Sequence, residues 1–194
     1  MRETERAGLH ERRRVLLAQA RGDVLEIGSG TGANSDFFDS AWTSLTLVEP
    51  SAAMASKLRA KLAQRDGEGA GPRVIEAPAE RLPLPDDSVD TAISTLVLCT
   101  VGDPDAALAE LHRVLRPGGK LLFMEHVRSD KPRTARWQDR LRGPWKVFGN
   151  GCTCNRDTEQ AIKRAGFAIE SLEHGSIPKA PPIVRPLIQG SATR

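Results

Sequence analysis

Val24-Leu25-Glu26-Ile27-Gly28-Ser29-Gly30-Thr31-Gly32 is the stretch that decides the fold. A short apolar run, Asp23–Ile27, stops at three glycines spaced G-x-G-x-G. Without side chains the backbone can press against a ligand and aim its N–H groups at it. The segment Asn34–Asp39 reads as a helix, which gives the order strand, glycine turn, helix. Outward from there, Ser44–Val48 is a second apolar run and ends at Glu49-Pro50, with Glu49 lying 21 residues after Gly28. A carboxylate on that tip can accept from both hydroxyls of a ribose, each bond worth roughly 1.5–3 kcal/mol. Loop and acid together point to a cofactor containing adenosine. Gly28, Gly30 and Ala33 also satisfy G-x-G-x-x-G/A, so the glycines alone leave a nicotinamide dinucleotide (NAD) open.

The remaining chain repeats the alternation. Arg73–Glu76, Thr91–Leu98 and Lys120–Met124 read as further strands, apolar on both faces where long enough to judge. Between them, Ser51–Gln64 carries Met54, Leu58 and Leu62 at helical spacing. Asp103–Leu115 opens on a capping Asp103-Pro104 and stops at Arg116-Pro117-Gly118-Gly119. Such β-α-β order predicts a doubly wound, Rossmann-like α/β sheet with helices on both faces and a ligand at the carboxyl ends of the strands. Arg156–Ala165 reads as a helix, followed by strands at Phe167–Leu172 and near Leu187–Ala192.

The chain of 194 residues suits one domain, 1–194, with residues 1–22 as a helical lead-in. Residues 128–151 form an inserted cap. From Arg128 to Lys146 the cap holds seven basic residues against Asp130 and Asp139. Its Trp137, Leu141 and Trp145 share a helix face that Gly143-Pro144 should interrupt, so one or two short helices are expected. Asp66–Pro72 reads as a loop. A net charge of +3 makes no demand for nucleic acid, and no apolar stretch is long enough to span a bilayer. Three cysteines suggest no disulfide framework, which favours a reducing, cytoplasmic setting.

The ordered motifs resemble the class I S-adenosylmethionine (SAM)-dependent methyltransferases of the type 11 group. They are the E-x-G-x-G-x-G loop, Glu49, Ala79-Glu80-Arg81-Leu82-Pro83, Asp86-Asp87-Ser88-Val89-Asp90 and Leu115-Arg116-Pro117-Gly118-Gly119. The resemblance implies seven strands in three layers with the last strand antiparallel, and SAM as cofactor with S-adenosylhomocysteine as product. It implies that Gly28 and Gly30 pack on the methionine part, Glu49 holds the ribose and Met54 covers the adenine. Ala79-Glu80 would meet the adenine edge, and Thr95-Leu96 would pass the amino-acid end. Glu26, Ser29 and Pro50 complete the expected cofactor-binding set.

Further runs are similar to the methyltransferase-like thiol S-methyltransferases. They include Ala77-Pro78-Ala79-Glu80, Ser94-Thr95-Leu96-Val97-Leu98-Cys99, Met124-Glu125-His126-Val127, Trp137-Gln138, Pro144-Trp145-Lys146, Gly149-Asn150-Gly151-Cys152 and Arg185-Pro186-Leu187-Ile188-Gln189-Gly190. That family carries an apolar anchor and a longer lead-in that this sequence lacks, so a soluble protein is expected. The acceptor implied is a small, apolar thiol. A quinone-like or lipid acceptor is the alternative, with an NAD-linked oxidoreductase and a non-catalytic SAM-binding protein as rivals of other classes. His126, just past the fifth strand, is the candidate base, against the plainer reading of a turn histidine bonded to backbone. Cys99 reads as a buried apolar residue. Cys152 and Cys154, with no second pair or nearby histidine, make a poor zinc site, and no metal is expected.

Overall fold

A computed structural model describes residues 8–38, 42–66, 71–149 and 151–194. Among them, seven strands form one sheet: β1 (Gly22–Ile27), β2 (Trp42–Val48), β3 (Arg73–Ile75), β4 (Val89–Thr95), β5 (Leu115–His126), β6 (Ala168–Ser176) and β7 (Pro186–Thr193). Their order is β3-β2-β1-β4-β5-β7-β6. The first five run parallel, and β7 lies antiparallel between β5 and β6, as the family resemblance implied. The order reverses between β1 and β4, where Ile27 is level with Val48 on one side and Ser94 on the other. That reversal leaves a crevice beyond the carboxyl ends of the strands.

Side chains alternate across the sheet, so each strand feeds two cores. Leu25, Ala92, Leu121 and Phe123 pack on one face with Leu108 and Leu111 of α3 (Pro104–Val114) and Ile162 of α5 (Thr158–Arg164). Val24, Ile93, Leu122 and Met124 pack on the other with Leu16 and Leu17 of α1 (His10–Leu17) and Leu58 and Leu62 of α2 (Ala52–Asp66). The result is three layers. Asp103 caps α3 as its sequence promised, accepting from the N–H groups of Asp105 and Ala106.

Three expectations are corrected. The helix expected at Asn34–Asp39 is a single 3-10 turn, Ser35–Phe37, with Asp39 outside the described residues. Asn34 and Ser35 spend their side chains on Glu26 and on the Gly32 carbonyl, the local bonding that competes with helix formation. The fourth strand stops at Thr95 rather than Leu98, because Leu96 turns to φ +60 and the next two N–H groups are taken by Glu125. The cap is one helix, α4 (Pro132–Phe148), which runs through Pro144. Gly143, Pro144 and Val147 are exposed, so a missing N–H and a displaced carbonyl there can be met by water. None of the described helices is long and apolar enough to cross a membrane.

Candidate functional site

The glycine turn joins β1 to the tip of β2 through Glu49. One Glu49 carboxylate oxygen accepts from Gly30 N–H at 2.9 Å, and the other accepts from Ser51 N–H at 2.9 Å. Gly28 has φ +58, and a Cβ there would lie 2.6 Å from two methyl carbons of Val97. Gly30 has φ +57, but a Cβ on it would come no nearer than 4.0 Å to the Gly28 carbonyl. One glycine is therefore required by the protein's own packing, while the other presents bare backbone to open space. Glu49 uses two of its roughly four lone-pair positions internally, which leaves acceptors for a sugar diol. This donor set fits SAM.

Beneath the turn lies a buried polar network. Glu26 accepts from the Asn34 amide, whose nitrogen also lies 2.8 Å from Thr95 Oγ1. Arg13 of α1, only 2% exposed, donates to Asn34 Oδ1 at 2.6 Å and Thr95 Oγ1 at 3.0 Å. Burial pushes the Glu26 carboxyl above its ordinary range, while Asn34, Ser29 and the Arg13 charge pull it back. Ser29 ties the turn to β2 by donating its N–H to the Val48 carbonyl at 3.1 Å. Arg13 escaped the sequence reading because it sits in Arg12-Arg13-Arg14, which resembles a solvated charge run. Its spacing from Leu9, Leu16 and Leu17 was the available signal, since it puts Arg13 on the apolar stripe.

Other expected residues divide. Leu96 holds its left-handed conformation with its N–H donated to the Met124 carbonyl at 2.7 Å, a strain of roughly 1–2 kcal/mol at the tip of β4. Met54 is half-buried on α2, Pro50 is exposed, and Ala79 is buried. Glu80 Oε1 accepts from Gly102 and Asp103 N–H at 2.8 and 3.2 Å, which holds the entry to α3.

A second group gathers past β4 and β5. His126 Nδ1 stands 3.5 Å from Cys152 Sγ and 3.8 Å from Cys99 Sγ. Cys152 thus does have a histidine beside it, contrary to the sequence reading, while the Cys154 sulfur is not in the cluster. The hydrogen bond from Cys99 favours the Cys152 thiolate, helped by His126 and Trp145 against the cost of burial, and its pKa is lowered. The same bond, with burial, pushes the Cys99 thiol up. Glu125, fully buried, fixes the loop that carries Cys99, accepting from Ser94 Oγ at 2.6 Å, Val97 N–H at 3.0 Å and Leu98 N–H at 3.1 Å. Burial raises its carboxyl, against these bonds. Arg156 holds the same loop through the Leu98 and Val101 carbonyls.

The cap helix docks through Gln138, which is fully buried. Its amide nitrogen reaches the carbonyls of Val127, Cys154 and Ile183 at 2.8–3.0 Å, and its oxygen accepts from Ser129 N–H at 2.8 Å. Arg128 adds a pair with Asp139. Of the two cap tryptophans, Trp145 packs toward the core, while Trp137 is more than half exposed, as are Val147 and Phe148.

Comparison with known proteins agrees with this geometry. A methyltransferase-domain family profile matches residues 25–123, from β1 to β5. Human thiol S-methyltransferase TMT1A is 34% identical over 172 residues, covering 88% of this chain and 70% of the relative. A ubiquinone/menaquinone biosynthesis C-methyltransferase, UbiE, from Hahella chejuensis is 37% identical over 122 residues, covering 59% of this chain and 47% of that protein. Among solved structures, a SAM-dependent methyltransferase from Mesorhizobium loti superposes with a TM-score of 0.68 at 22% identity, covering 94% of this chain and 95% of that one. With the reversal in strand order, the bare Gly30 turn and the Glu49 carboxylate already in position, the matched profile completes the assignment: this chain belongs to the class I SAM-dependent methyltransferase family.

Proposed function

We propose that the chain methylates the sulfur of a small, apolar thiol. The observation that carries this reading is the 34% identity to a protein named thiol S-methyltransferase across 88% of the chain, well beyond the methyltransferase-domain match. Two structural features support it. The Cys99–His126–Cys152 group gathers past the carboxyl ends of β4 and β5, and the exposed Trp137, Val147 and Phe148 give the cap an apolar surface.

SAM, when bound, supplies an electrophilic methyl group on a sulfonium sulfur. The chain's part is to hold and align. The glycine turn and Glu49 fix the nucleoside, and the Glu26–Asn34–Thr95–Arg13 network keeps the turn rigid. Alignment of this kind supplies roughly 7–11 kcal/mol of a displacement barrier. A thiol of pKa about 8.5 is already partly thiolate near neutral pH, so the acceptor side needs little basic power. His126 Nδ1 stands 3.5 Å from Cys152 Sγ and 3.8 Å from Cys99 Sγ, so an imidazole is held among sulfur atoms past the ends of β4 and β5.

A mass-spectrometric screen of thiols, phenols, quinols and amines against isotopically labelled SAM tests the reading. Label appearing on thiol sulfur supports it. Methylated phenols, quinols or amines with no methylated thiol would overturn the acceptor while leaving the cofactor intact.

A further inference from the structure

Cys99, His126 and Cys152 come from three separate parts of the fold. Cys99 lies in the loop after β4, His126 ends β5, and Cys152 follows the cap helix. Their ligating atoms nevertheless all lie within 4.8 Å of one another. A tetrahedral zinc ion with bonds of about 2.3 Å to sulfur and about 2.0–2.1 Å to nitrogen sets sulfur and nitrogen roughly 3.5–3.6 Å apart. The observed S···N separations are 3.5 and 3.8 Å. Two thiols and an imidazole are also the donor chemistry that zinc prefers.

The supports around these atoms are those of a fixed site. Glu125 and Arg156 lock the Cys99 loop, and Thr153 N–H donates to the Cys99 carbonyl at 2.7 Å, tying the loop to the segment bearing Cys152. The buried indole N–H of Trp145 makes no full hydrogen bond among the described residues, yet it lies beside the Cys152 sulfur. It can serve as a donor to a metal-bound thiolate, the outer contact that ligating groups commonly receive. With two cysteines and one histidine, a tetrahedral ion retains one open position, the pattern of a reactive rather than a structural site.

We propose that Cys99, His126 and Cys152 bind a zinc ion whose fourth position takes the sulfur of the acceptor thiol. The last clause rests on the thiol reading above, and it makes His126 a ligand through Nδ1 rather than a base. On binding zinc, Cys99 and Cys152 each release the S–H proton to the buffer and coordinate as thiolates; the acceptor thiol likewise gives its proton to the buffer as its sulfur lone pair fills the open position. Zinc remains divalent throughout.

The test uses the full chain, reduced, loaded with zinc and freed of excess metal by gel filtration. Elemental analysis should find one zinc per chain. Cobalt loading should give the visible bands of a tetrahedral, sulfur-ligated ion, and adding a small thiol should shift them. Cys99→Ser and Cys152→Ser should each lose at least nine-tenths of the metal, while Cys154→Ala keeps it. The cobalt spectrum of the unaltered chain decides the matter even where a serine variant does not fold. Zinc below a tenth per chain, an octahedral cobalt spectrum, or a Cys99–Cys152 disulfide in the reduced preparation would overturn the site. If the metal binds and thiols shift the bands but no thiol is methylated, the site stands and the proposed function falls. If metal-stripped chain methylates thiols at an unchanged rate, the function stands and the zinc proposal falls.

Discussion

The carboxyl ends of the strands carry two banks of side chains, built in different ways. The bank at β1 and β2 is built around one continuous glycine turn, with a carboxylate on the next strand tip and backbone N–H donors. The bank at β5 and the cap is made from residues 99, 126 and 152, brought together only by the finished fold. The first bank is thus organised by one short motif, and the second is assembled from three scattered residues.

This contrast can be broken by mutation, since changes on the first bank should alter SAM affinity and changes on the second should not. The largest effect is expected for Arg13→Ala. It leaves Glu26 buried without its compensating charge and strips Asn34 and Thr95 of a donor. A loss of about 3–5 kcal/mol in denaturant unfolding is expected, with weakened SAM binding. A loss below about 1 kcal/mol would show that the network does not hold the turn.

Glu49→Ala comes next. It removes the ribose acceptor and releases Gly30 N–H, so calorimetry should show SAM affinity falling by about 2–3 kcal/mol, roughly 30–150-fold. An unchanged dissociation constant would remove Glu49 from the cofactor site.

On the second bank, Gln138→Leu leaves three carbonyls and the Ser129 N–H without their partner. About 2–3 kcal/mol of stability should be lost as α4 loosens, with the SAM dissociation constant unchanged. A parallel loss of SAM affinity would mean the two banks are coupled.

The smallest effect concerns pH. Arg128, with Asn155, holds the Asp139 carboxyl down to about 2, from an ordinary value near ~3.9. A depressed carboxyl stabilises above its unfolded pKa and ceases to as pH falls through its folded one. The Tm gap between the chain and its Asp139→Asn variant should be constant above about pH 5, then close as pH falls from about 4 toward 2. A gap as wide at pH 2 as at neutral pH would assign the docking of α4 to other contacts.

Much of the fold was legible in the sequence because its signals are periodic and local. The apolar runs at Val24, Leu45, Ile93 and Leu121 marked strands, and Asp103-Pro104 marked a helix start. Glu49 was legible because the glycine turn fixes what the next strand tip must face. What was missed depends on distance or context. Arg13 is hidden among arginines whose neighbours are solvated. Cys99 and Cys152 lie 27 and 26 residues from His126, and no local pattern links them. Pro144 suggested a break that an exposed helix, held upstream by Gln138, does not need.

That single glutamine has a consequence for change over time. Much of α4 beyond Ala135 and Gln138 faces water. Its outward positions are thus cheap to vary, and a lineage or a designer can exchange them in large numbers without retuning the sheet below. The cap is a plate held by a few inward contacts, Gln138 the most deeply buried of them, and most of its outer face is left free to change.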